Sequence, residues 1–199
     1  MEQLIDTASE LAARILEDIP ERLQHSAAVA ARARVLAIAV APAEVDTLVA
    51  AAWLHDIGYG SRARESGFHP LDGAVYLRGN GWPDGVCALV AHHSGSRFVA
   101  RVLGLDDRLR EFEFVEDPLS DALTVADNTA GPNGTIIAVD ECLREKRRRH
   151  RPGSTNARAN PERNDYIRAA DRRVAHRLAI LNRPHGNLGD VDEQPGDRG

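Results

Sequence analysis

Apolar positions recur at helical spacing along most of the chain, and no stretch alternates with the period of two that a half-buried strand requires. Leu4, Ala8, Leu11 and Ile15 share one face and predict a first helix that ends before Pro20. A second runs from about Glu21 to Val40. Pro42 stands where a first-turn proline is tolerated, and a third helix carries Val45, Leu48, Val49 and Ala52 up to His55, with Gly58 as its stop. After the polar loop GSRARESGF, His69 and Pro70 open a helix through Val75 to Arg78, closed by GNG. Pro83 opens DGVCALVAHH, which stops at SG; a shorter helix spans about Phe98 to Leu103, and the acidic loop EFEFVEDP follows. Pro118 starts LSDALTVADNTAG, which ends at Gly131. Two more helices are expected at roughly 136–149 and 162–182, separated by the turn-rich RPGSTNARANP. The fold class is therefore all-α, a helical bundle in one domain over 1–182 with a core at about 20–150. Pro, Gly and Asp dominate 183–199, which reads as a disordered tail.

Composition narrows the partners. A chain of 199 residues can bury a real core. Its formal net charge of -5 argues against a general nucleic-acid binder. Lys146 is the only lysine, and that bias toward arginine lowers the weight of any arginine-rich stretch. REKRRRHR, residues 144–151, reads as the exposed end of a helix, where positive charge suits the dipole. Cys87 and Cys142 make no CxxC pair and read as reduced thiols. The N-terminus lacks the basic start and apolar run of a signal peptide. The most apolar stretch is broken by Arg32 and Arg34 and is too short to span a bilayer. These features point to a soluble, cytoplasmic protein with no membrane partner. The amphipathic first helix can pack on its own domain or on a second subunit, so a homodimer stays open.

Histidines and aspartates then stand out by their places. His25 lies on the second helix, His55 and Asp56 end the third, His69 starts the fourth, His92 and His93 close the fifth, and Asp127 lies within the apolar LTVAD. Imidazole and carboxylate are the usual ligands of divalent first-row metals, and a carboxylate can bridge two ions. Two ions about 3.5–4 Å apart can hold a bridging hydroxide and stabilise a displaced oxygen. Adjacent His55 and Asp56 project about 100° apart on a helix, so they serve one cluster best if it lies off the helix end. An unpaired carboxylate at Asp127 would be costly to bury, and ligation removes that cost.

The order His, His-Asp, His, His, Asp resembles the HD-domain superfamily of metal-dependent phosphohydrolases in its dinuclear form. The resemblance implies an HD-domain helical bundle around a dinuclear metal site. It places His25, His55, Asp56 and Asp127 around one ion, and Asp56, His69 and His92 around the second, with Asp56 as the bridge. His93 would then support a ligand from behind, contact substrate, or merely form a solvated helix end. In the trinuclear HD-GYP branch a glutamate at the offset of Glu21 and the second histidine of a pair bind a third ion. Glu21 and His93 match those positions, although the GYP motif is absent.

The implied reaction is hydrolysis of a phosphate ester or anhydride of a small, nucleotide-like substrate by a metal-bridging hydroxide, with Asp56, His93 and Arg97 as catalytic candidates. Tyr59, Arg62, Arg64 and Arg97 are the substrate-binding candidates, the arginines because they can hold phosphate bidentately. Asp72 reads as a first-turn carboxylate favoured by the helix dipole. The cofactors implied are two divalent ions, with Fe, Mn, Mg, Ni and Co all compatible with the donor set. One departure matters: many HD phosphohydrolases carry a lysine three residues after the aspartate, where this chain has Tyr59. The same ligand set holds a diiron centre in HD-type oxygenases that cleave C–C or C–P bonds, so that alternative stays open, as does a non-catalytic nucleotide-sensing module.

Overall fold

A computed structural model describes residues 2–131 and 135–182. The proposed tail at 183–199 lies outside the described residues. Within them the helices are α1 (Glu2–Ile15), α2 (Pro20–Leu36), α3 (Val45–Leu54), α4 (His69–Gly79), α5 (Asp84–His92), α6 (Ser96–Leu103), α7 (Asp106–Leu109), α8 (Pro118–Thr129), α9 (Val139–Arg149) and α10 (Thr155–Leu181). No strand occurs among the described residues; one isolated bridge pairs Ala130 with Ile136. The all-α expectation holds.

α3 and α8 are the two inner helices. α3 packs against α1, α2, α5 and α8, and α8 packs also against α2, α9 and α10. Sequence explains the placement. VDTLVAAAWL has no charge after Asp46, and its alanines let neighbouring backbones approach closely. In α8 every residue from Leu119 to Thr129 is buried, so its polar side chains must all find partners inside the protein. Asp117 caps this helix through a capping box with Ser120, and Pro118 takes the first turn. Asp121 of α8 is fully buried and is held by Arg173 and Arg177 of α10, with Arg173 Nη2 2.6 Å from Oδ1 and Arg177 Nη2 2.8 Å from Oδ2. The apolar face of α1 is spent on this same core: Ile5, Ala8, Leu11, Ala12 and Ile15 are buried against α3.

Two boundaries differ from the sequence expectation. α2 ends at Leu36 and passes into a 3₁₀ turn at Ala37–Ala39, before Val40 turns extended. α10 begins at Thr155 rather than near 162, because Ser154 accepts from Ala157 N and caps a helix that then carries Pro161 inside it. A proline there removes one intrahelical bond, normally a reason to end a helix. The burial of Ala159 and Asn160 on one side and of Asn164, Tyr166 and Ile167 on the other favours continuation. No described helix is long and apolar enough to cross a membrane.

Candidate metal centre

The site forms where α3 ends. His55 is the C-cap of α3, and Asp56 turns away with φ -104° and ψ 5° before a 3₁₀ turn at Ile57–Tyr59. Gly58 does not act as a helix stop, as the sequence suggested. A Cβ there would lie 2.0 Å from the His69 carbonyl oxygen and 2.7 Å from Gly73 N, so only glycine lets the start of α4 dock against the HDIGYG segment. That contact delivers His69 to Asp56. Asp72, also in the first turn of α4, accepts from the backbone N–H groups of Ser66 and Gly67 and so ties down the preceding loop.

Six side chains converge. His69 Nε2 lies 3.3 Å from Asp56 Oδ1 and 3.3 Å from His93 Nε2. His55 Nε2 lies 3.5 Å from Asp56 Oδ2 and 3.7 Å from Asp127 Oδ1, and His25 Nε2 lies 2.9 Å from Asp127 Oδ1. Two groups are close enough to share an ion: His25, His55 and Asp56, and Asp56, His69 and His93. Asp56 belongs to both, with one oxygen toward each.

The donors suit a divalent cation. His55 Nδ1–H donates to the Ala52 carbonyl at 2.8 Å, which in the neutral ring leaves Nε2 as a lone pair. That nitrogen is buried, has no hydrogen-bond partner and faces two carboxylates. A lone pair held against anionic oxygens is an electrostatic cost that a cation removes. His93 is arranged alike, with Nδ1–H donating to the Val90 carbonyl at 2.7 Å and Nε2 directed at His69. Burial pushes His69 down to about 3 and His93 to about 4, so both rings are neutral near neutral pH. Burial by itself would raise Asp56 and Asp127, but surrounding positive and imidazole groups hold both carboxyls below the usual range.

Within the histidine pair the structure brings His93, rather than the expected His92, into the cluster. α5 ends at His92, and His93 swings to an extended conformation with φ -56° and ψ 146°. His92 therefore points elsewhere: its Nε2–H donates to the Phe112 carbonyl at 2.8 Å, and its ring lies against Phe114. His92 pins the acidic loop, and His93 enters the cluster. Ser94 follows in the left-handed region at φ 50°, a strained conformation for serine. Its hydroxyl donates to Asp127 and accepts from Asn128 Nδ2. Glu21 is exposed and belongs to neither metal-compatible group, so the structure does not bring it together with His93.

The arginine candidates also move. Arg97 lies over Phe98, Phe114 and Tyr166 at 4.7, 4.2 and 4.3 Å from the ring centroids, 3.7 Å from Glu116, and so serves packing between α6 and α10. Arg62 donates to Glu17 at the surface, and Arg64 is exposed. Tyr59 does belong to the site. Its ring stacks on His69 at 4.0 Å and carries the Arg22 guanidinium at 4.3 Å, and burial pushes its phenol up to about 12.

Three cations went unselected in the sequence. Arg22 Nη1 donates to Asp56 Oδ2 at 3.0 Å; it stands three residues before His25, hence on the same helix face. Lys146 Nζ lies 3.9 Å from Asp127 Oδ2, and Arg163 packs at Gly95, next to Ser94. Lys146 had one signal, being the only lysine, but sat in a basic run that reads as solvated surface.

A cavity of about 370 Å³ is bounded by His92, His93, Leu89, Phe112 and Phe114. Asp84, Glu111, Glu113 and Asp117 also line it, against the single cation Arg78, itself bonded to Glu111 at 2.8 Å. Its charged lining is therefore mostly acidic.

Neither a curated protein nor a solved structure matches the chain. The family model described as HD domain matches residues 22–176, a span that begins just before His25 and takes in every member of the cluster. With the helical bundle and the ordered His and Asp donors, that match shows that the chain belongs to the HD-domain family.

Proposed function

We propose that this protein is a metal-dependent phosphohydrolase acting on a small phosphorylated substrate, with His25, His55, Asp56 and Asp127 around one ion and Asp56, His69 and His93 around a second. The observation that carries this reading is the position of Asp56, shared by both metal-compatible groups with Oδ1 toward His69 and Oδ2 toward His55. Divalent ions there would supply Lewis acidity toward phosphoryl oxygens. The protein's own groups do the rest. His55 and His93 are held in one orientation by backbone carbonyls, and Arg22 is held between Tyr59 and Asp56. Lys146 answers the missing lysine: a cation comes from α9 in place of the residue three after Asp56.

The test is phosphate release from nucleoside monophosphates and simple phosphomonoesters, with Mn, Mg or Fe(II) added to anaerobically purified protein. Release that needs metal and vanishes in Asp56→Asn is the expected result. Oxygen consumption with a mixed-valent iron signal and no phosphate release would replace this reading with the oxygenase. Nucleotide binding without turnover under any metal would replace it with a sensor.

A further inference from the structure

Cations inside this protein fall into two kinds, distinguished by what holds them. On α10, Arg168 is bonded to Asp140, and Arg173 and Arg177 are bonded to Asp121. Their charge is spent within the fold. Arg163 of the same helix is held otherwise: Nη1 donates to Asn156 Oδ1 at 3.1 Å and Nη2 to Asn160 Oδ1 at 3.0 Å. Lys146 repeats the arrangement, donating to Asn128 Oδ1 at 2.9 Å. Asn128 is itself fixed, because its Nδ2 donates to Ser94 Oγ and to the Thr124 carbonyl, both at 2.8 Å.

An amide oxygen orients a cation but does not neutralise it. Both cations stand beside the cluster. Lys146 is 3.9 Å from Asp127, whose charge would be shared with a metal, and its side chain is 28 % exposed. Arg163 Cγ would lie 3.1 Å from a Cβ on Gly95, next to the Ser94 that bonds Asp127. Asp127 and Tyr59 both act electrostatically on Arg163, and His150, bonded to Asn160, feels both Arg163 and Lys146. By contrast Arg22 is paired with Asp56.

We propose that Lys146 and Arg163 form an anion-binding arm of the active site, contributed by α9 and α10, that receives the phosphate of a phosphomonoester. The inference rests on the phosphohydrolase reading above and refines its substrate class. Two cations hydrogen-bonded to amides rather than to carboxylates match the two negative charges that a monoester carries near neutral pH, whereas a phosphodiester carries one. The asparagines set the direction of each cation in advance, so little side-chain freedom is lost when the anion arrives.

The test exploits the amides. Asn156→Asp keeps the shape of the Arg163 tether and strengthens it, yet neutralises the charge; a purely structural arginine would be unaffected or stabilised. Orthophosphate binding to the full chain, measured calorimetrically with Mn added, is expected to weaken about tenfold in Asn156→Asp and in Lys146→Gln. Lys146→Arg should restore most of the affinity, and methyl phosphate should bind at least tenfold more tightly than dimethyl phosphate. Wild-type affinity in both charge-removing variants, or equal binding of the two methyl phosphates, would overturn the proposal even if the wild-type chain releases phosphate. Should the wild-type chain neither bind orthophosphate nor release phosphate with any metal, the phosphohydrolase reading falls first, and the arm with it.

Discussion

The Nε2 atoms of His69 and His93 face each other at 3.3 Å, and Asp56 Oδ1 stands 3.3 Å from the same nitrogen of His69. Two imidazoles brought this close inside a protein need either a proton or a cation between them. His93→Ala should therefore reduce bound metal by about one ion per chain, as read by elemental analysis. His92→Ala should keep the wild-type metal content and lose about 1–3 kcal/mol of stability, because the buried Phe112 carbonyl then lacks its donor. Equal metal loss in the two variants would contradict the assignment of His93.

Gly58 transmits the fold to the metal centre. In Gly58→Ala the added methyl meets backbone on α4 rather than a side chain that can turn away. Overpacking of this kind costs about 1–3 kcal/mol or more. The expected outcome is a lower denaturation midpoint together with weaker metal binding, since His69 begins the displaced helix. A variant that unfolds earlier but binds metal as tightly as wild type would show that the contact is purely structural.

Asp121 is a stability residue, in contrast to the buried Asp56 and Asp127 of the donor cluster. Asp121→Ala leaves Arg173 and Arg177 without their shared partner, and although Arg173 keeps Glu116, losing these charge-assisted bonds costs about 1–3 kcal/mol. Urea unfolding should show that loss. Under conditions where the variant stays folded, its metal content should equal that of wild type, which separates this cluster from the donor set only two helical turns away.

Acid should destabilise the metal-free protein well before ordinary carboxylates titrate. Burial lowers His69 to about 3 and His93 to about 4 from an ordinary 6.5. Below about pH 6.5 the unfolded chain takes up those protons and the folded chain does not. The unfolded state then binds more protons, and stability falls as pH falls through this window. Asp56 and Asp127, also lowered, add the same sign at still lower pH. His25 works the other way: burial lowers it, but its bond to Asp127 and the charges of Asp127 and Asp56 together outweigh that, and its contribution is lost as pH rises through its elevated value. Urea midpoints of EDTA-treated protein should drop steadily between about pH 6.5 and 4; a flat profile there would show that the two rings titrate normally.

Helix type, helix order and the chemistry of the donors were legible from the chain alone, for local reasons. Apolar spacing at Leu4, Ala8, Leu11 and Ile15 needs no distant partner to be read, and the run of His and Asp residues at helix ends carries its own metal chemistry. Three features were not legible. Which of His92 and His93 joins the donor cluster turns on the backbone at one helix end, where Ser94 at positive φ contacts Asp127 and Asn128 of α8. Gly58 looked like a helix stop because the His69 backbone that actually excludes a side chain there belongs to another helix. Arg97 lies among three aromatic rings and Lys146 lies beside Asp127 on a fixed asparagine, placements that depend on residues distant in the chain. His25 meets Asp127 across 102 residues. Local propensity acts within a few residues, whereas the partner of a charge is chosen by packing that only the folded chain supplies.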